Sequence, residues 1–65
     1  MKFNDLLLSC QGKQTVSVLF DAKNITGNAD ALYCHLKNDV TNSEVVSIVA
    51  CDGIINVRID YEEED

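Results

Sequence analysis

The side chains of this chain that could do chemistry are few: Cys10, Cys34 and Cys51, the single histidine His35, the single arginine Arg58, and eleven carboxylates. Structural zinc sites draw two ligands from one short knuckle, whereas these cysteines stand 24 and 17 residues apart. Cys34 and His35 are neighbours, so on a strand or a helix they point in different directions and form neither a ligand pair nor a nucleophile beside its base. Gly12, Gly27 and Gly53 are isolated, which leaves no glycine-rich phosphate loop. The expectation is a protein with no catalytic residue, no metal and no cofactor, and so not an enzyme. The three thiols are expected to be buried as small apolar side chains. Their odd number and the lack of an apolar signal core point to reduced cysteines in the cytoplasm.

Something must position these groups, and the chain that does so is short. Its 65 residues allow one small domain, and 46% apolar residues are ample for a folded one. Eleven acids against five bases give a formal net charge of −6. That balance argues against direct binding to nucleic acid or to an anionic membrane, both of which ask for an excess of Lys and Arg. Apolar runs are only a few residues long, too short to span a bilayer. Five of the acids are Asp60, Glu62, Glu63, Glu64 and Asp65; without residues 60–65 the chain holds six acids and five bases, a net charge of −1. We therefore divide the chain into a single domain over residues 1–61 and an acidic tail over 62–65. Such a block of charge keeps itself solvated and protects a sheet edge, or else serves as an anionic arm for a basic groove.

The clearest element is a hairpin. Residues 44–51 and 54–61 are rich in β-branched side chains and flank Asp52-Gly53, a pair suited to the positive φ of a two-residue turn. The short loop sets Cys51 opposite Ile54, Ala50 opposite Ile55, Ile48 opposite Val57, Val46 opposite Ile59 and Glu44 opposite Tyr61. One face then carries Val46, Ile48, Ala50, Ile55, Val57 and Ile59. The other mixes Val45, Val49, Cys51 and Ile54 with Ser47, Asn56, Arg58 and Asp60. Upstream, residues 15–21 alternate with Val16, Val18 and Phe20 on one side. A turn over residues 21–24 follows, then a weak strand over 25–29. Phe3, Leu6, Leu7 and Cys10 recur at helical spacing, with Asn4 as N-cap, Gly12 as left-handed stop and Phe3 stapled to Leu8. Asp30 can cap a short helix burying Leu32 and Leu36, although strand alternation fits residues 32–36 as well; residues 38–43 read as loop. The expected fold is α+β: a short amino-terminal helix packed on a small, mostly antiparallel sheet that ends in a carboxy-terminal β-hairpin.

Through Val45-Val46-Ser47-Ile48, then Asp52 and Ile55-Asn56-Val57-Arg58-Ile59, and through the opening Phe3-Asn4-Asp5-Leu6-Leu7, the chain resembles the small acidic proteins of bacteriophages and mobile elements of Gram-positive bacteria. That group includes anti-CRISPR and other anti-defence proteins. The resemblance covers the order of elements and carries over no functional residue. It implies a viral inhibitor of a host defence effector, acting by protein–protein contact in the cytoplasm of a bacterial host. The complementary host surface would be basic, with Arg58, Asp60, Glu62, Glu63 and Glu64 as candidate partner-binding residues. The alternatives are an oligomeric sponge that binds a small anionic nucleotide-type ligand between subunits, and a structural or assembly protein. Val45, Val49, Cys51 and Ile54 are more apolar than a solvent-facing surface requires, so they are the candidate self-association patch of a homodimer.

The tail yields a direct test. Residues 62–65 bring no apolar side chain to bury, and exposed charge pairs contribute at most about 1 kcal/mol. Their deletion is expected to leave the melting temperature almost unchanged by calorimetry; a fall of many degrees would assign them to the folded domain.

Overall fold

Strand alternation and two left-handed turns produce two hairpins, and short helices fill the segments between and before them. The computed structural model describes residues 1–62. In chain order it contains α1 (Phe3–Ser9), β1 (Thr15–Phe20), β2 (Lys23–Asn28), α2 (Ala29–His35), α3 (Asn38–Thr41), β3 (Val45–Cys51) and β4 (Ile54–Ile59). The four strands form one sheet in the order β2-β1-β4-β3. Both hairpins, β1–β2 and β3–β4, are antiparallel, while β1 and β4 run parallel at the centre. The fold is a small α+β domain with a mixed sheet.

The helices lie against one side of the sheet. Phe3, Leu6 and Leu7 from α1, Ala29 and Leu32 from α2, and Val40 from α3 pack with Val16, Val18, Phe20, Val57 and Ile59 in a single core. Helices of this length do not persist alone, so burial of these side chains is what holds them. Tyr61 closes the end of the core, its ring stacked on Phe20 with centroids 5.5 Å apart. Ile55 and Leu36 pack at the core's margin rather than inside it.

Several local expectations shift. Residues 1–3 pair with the start of β3: the Phe3 N–H donates to the Ser43 carbonyl at 2.9 Å, and the Val45 N–H to the Met1 carbonyl at 2.8 Å. This strap makes Lys2 the extended N-cap of α1 and draws Asn4 into the helix, where its Oδ1 is buried without a partner. Phe3 goes into the core while Leu8 stays exposed, so the expected staple does not form. The helix ends at an extended Cys10 instead of a left-handed Gly12. Because β2 runs straight into α2, the cap of α2 is Asn28, whose Oδ1 accepts the Ala31 N–H at 2.8 Å, in place of Asp30. The segment read as loop after α2 contains the helical turn α3, which buries Val40 and Thr41.

The carboxy-terminal hairpin keeps its expected register from Cys51↔Ile54 as far as Ser47↔Arg58, then departs. Val45 pairs with Ile59 and Ser47 with Arg58, so Val46 is an extra residue in a bulge. Val45 therefore turns to the helix side, packed against the core, and Val46 leaves the core set at 62% exposure. The strap at Met1 fixes Val45, and the bulge absorbs the mismatch. Ile48 stays on the helix side but is 46% exposed, because the helices pack over the other strands and stop short of β3.

The two turns differ in cost. Asp52 and Gly53 have φ of 53° and 78°, and Asp21 and Ala22 have φ of 48° and 59°. A left-handed alanine is unfavourable where a glycine is not. Ala22→Gly is expected to raise the unfolding free energy by roughly 1 kcal/mol, and Gly53→Ala to lower it by about the same. Urea denaturation measures both, and a destabilising Ala22→Gly would contradict the turn geometry.

Candidate functional site

The side of the sheet away from the helices has no cover within residues 1–62. The strand registers lay its side chains out as a grid. One rung reads Asn24, Leu19, Arg58, Ser47. The next reads Thr26, Ser17, Asn56, Val49, and the third Asn28, Thr15, Ile54, Cys51. Arg58 is the single charged residue among these twelve.

Ser17 is the low point of the grid. It sits on β1 between larger neighbours and is only 9% exposed although nothing covers this face. Its hydroxyl donates to Asn24 Oδ1 at 2.6 Å and accepts from the Thr26 hydroxyl at 3.2 Å. The chain of donors orients the Asn24 carboxamide: its oxygen is engaged by Ser17, and its amide hydrogens are left to face outward or toward a ligand. Asn56 Nδ2 makes one long bond, 3.5 Å, to the Ile54 carbonyl. Around Ser17 lies a depression of about 290 Å³ lined by Leu19, Asn24, Ser47, Asn56 and Arg58. Among the described residues, the Arg58 guanidinium has neither a hydrogen bond nor an ion pair. Farther along β4 a second depression, of about 360 Å³, is bordered by Asp21, Asp60, Tyr61 and Glu62 as well as Arg58.

A second exposed feature is β3 itself. It is an edge strand of seven residues without a single charge, and Val46, Ile48 and Val49 are all strongly exposed. Residues 1–3 cover only the beginning of its outer edge, through Ser43 and Val45. Edge strands are usually shortened, charged or covered, because their free N–H and C=O groups template pairing with another chain. Over residues 46–51 none of these devices is present among the described residues.

The candidate residues from the sequence are distributed unevenly over these features. Val49, Cys51 and Ile54 share the open face; Val45 does not, for the reason given by the bulge. Arg58 is on the open face, Asp60 and Glu62 lie at its end, and Glu63 and Glu64 fall outside the described residues. Ser17, Asn24 and Ser47 were not anticipated. Each is an ordinary polar strand residue; the hairpin register sets Ser47 beside Arg58, and the parallel pairing of β1 with β4 brings Ser17 and Asn24 to it.

The thiols correct an expectation. Cys34 and Cys51 are exposed and Cys10 is half-buried. Cys34 lies on the outer side of α2 and Cys51 on the uncovered face, so neither is used to fill the core. Among the described residues no group of His, Cys, Asp and Glu is placed to hold a metal ion, and no helix is long and apolar enough to cross a membrane. No family model, no curated protein and no solved structure matches the chain.

Exposure makes the cysteines a probe of the fold. Iodoacetamide under native conditions is expected to modify Cys34 and Cys51 at rates near those of the unfolded chain and Cys10 more slowly. Mass spectrometry of a time course reads this directly. Equal protection of all three would restore the buried-thiol reading.

Proposed function

We propose that this chain is a non-enzymatic binding protein that works by protein–protein contact, with β3 as its contact element. The observation that carries the reading is the uncharged and uncovered edge at residues 46–51, apolar on both sides. Such a strand offers main-chain hydrogen bonds for affinity and alternating side chains for selectivity, the arrangement by which one chain adds a strand to another's sheet. The first such partner is a second copy. None of the seven residues of β3 is charged, so two chains of net charge −6 can approach along this strand without opposing like charges between its residues. A domain of this size also has a marginal core, and a shared sheet would enlarge it.

The resemblance to small phage anti-defence proteins adds a heterotypic role, inhibition of a host effector with a basic surface. Asp60 and Glu62 at the end of the sheet would meet that surface, and the tail acids would extend the contact. Charge complementarity of this kind speeds encounter and makes it salt-dependent.

Light scattering across low to high micromolar concentrations tests the contact element. The wild-type chain is expected to dimerise, while Ile48→Lys and Val49→Asp remain monomeric with unchanged circular dichroism. Both side chains are exposed, so neither substitution removes core. A folded wild-type monomer at high micromolar concentration would sink self-pairing through β3. Loss of inhibition by Ile48→Lys, assayed against purified nucleic-acid-handling defence effectors, would be the corresponding result for the heterotypic role.

A further inference from the structure

Arg58 is set apart from the protein-contact reading by its surroundings. It is the only arginine in a chain of net charge −6, and it stands on a central strand, where the backbone is held from both sides by β1 and β3. The twelve-residue grid around it contains no carboxylate. Its cross-sheet neighbours are neutral hydrogen-bonding groups: Ser47 on β3, Asn24 one strand beyond Leu19, and Asn56 one rung along. A structural arginine on an acidic protein ordinarily finds a carboxylate. Here Asp60, Asp21 and Glu62 border the next depression along, yet no described carboxylate comes within ion-pair distance.

We infer that the depression around Ser17 is a binding site for a phosphate monoester, with Arg58 as its anchoring cation. The guanidinium fork matches two oxygens of an oxyanion. A planar carboxylate would be satisfied by that fork alone. The remaining donors come from other directions: the Asn24 amide, whose oxygen Ser17 already occupies, the Asn56 amide and the Ser47 hydroxyl. That spread suits a tetrahedral group with three terminal oxygens. The depression, about 290 Å³, is larger than a phosphate needs, and Leu19 supplies an apolar wall for the organic part of the ester. The order of donors is built by the fold: Thr26 donates to Ser17, Ser17 to Asn24, and Asn24 is thereby turned to donate outward. Of these groups only Ser47 lies on β3; Arg58, Asn24 and Asn56 lie on other strands.

Nuclear magnetic resonance of the full chain tests it, at constant ionic strength, with inorganic phosphate and phenyl phosphate as probes. Both are expected to give saturable shifts of the Arg58 Nε–H and of the Asn24 and Asn56 side-chain amides. Phenyl phosphate should bind several-fold more tightly, and Leu19→Ala should remove that difference while sparing inorganic phosphate. Arg58→Gln should abolish both responses with the backbone spectrum otherwise retained; Arg58→Lys should keep a weakened one and serves as the folded control should the glutamine variant fail to fold. Shifts that grow linearly without saturation, that persist in Arg58→Gln, or that fall on residues away from the grid would overturn the site. Equal affinity for the two probes would overturn the ester and leave no role for Leu19.

Discussion

β1 and β4 lie side by side and parallel, and every other feature of this domain depends on that pairing. It sets Val16 and Val18 of β1 beside Ile55 and Val57 of β4. Val16, Val18 and Val57 are among the most deeply buried side chains. Parallel neighbours cannot be joined by a tight turn, so the chain between them must leave the sheet and return. The segment that makes this return, β2 through β3, brings α2 and α3 with it, and these share with α1 the cover for the side the parallel pair creates. Gln14, just before β1, ties the pieces together. Its carbonyl accepts the Ala29 N–H that begins α2, and its amide donates to the Gly53 carbonyl in the β3–β4 turn at 2.6 Å. One loop residue thus links the first strand, the crossover helix and the last hairpin.

The same pairing explains why the two sides of the sheet differ. Three short helices are enough to cover β2, β1 and β4 on one side, and there the core is apolar and continuous. No described element remains for the other side or for β3. What stands there is consequently exposed, and its composition is divided. Near β3 it is apolar, with Val49, Cys51 and Ile54; toward β1 and β2 it is polar, with Ser17, Asn24, Thr26 and Asn56 arrayed about Arg58. A surface maintained only for solubility would spread charge over both halves. Here charge is concentrated in turns, helix surfaces and the chain end instead.

Local chemistry made part of this architecture legible from the residues alone. Asp52-Gly53 between β-branched runs specifies its hairpin because few other pairs accept positive φ twice, and the alternation of Val16, Val18 and Phe20 can only be a strand with one buried side. The limits were equally physical. The β1–β2 turn uses Asp21-Ala22, and an alanine in a left-handed conformation has no signature in sequence. The bulge at Val46 comes from a strap some forty residues upstream in the chain, so no reading of residues 44–51 by themselves could have displaced Val45 to the helix side. The thiols were misplaced for a related reason. Cysteine's general preference for the interior says nothing about which side of the sheet the helices cover, and Cys51 stands on the uncovered side.

The candidate sites follow from long-range pairing more than from composition. Arg58 was visible as an isolated cation, but its neighbours Leu19 and Asn24 come from the first hairpin and Ser47 from the second, and only the parallel junction places them in one rung. The bulge matters here too. Ser47 keeps the register set by the turn and lies beside Arg58; the shift comes only beyond it, and residue 46 is left exposed at the edge. Without the extra residue, Val45 would stand on the open side near the end of β4, and the ground beside the arginine would be more apolar. The strap and the bulge are therefore one coupled arrangement: pinning Val45 to Met1 turns it to the helix side against the core and leaves Val46 exposed at the edge, while the polar rung about Arg58 keeps the register set by the turn.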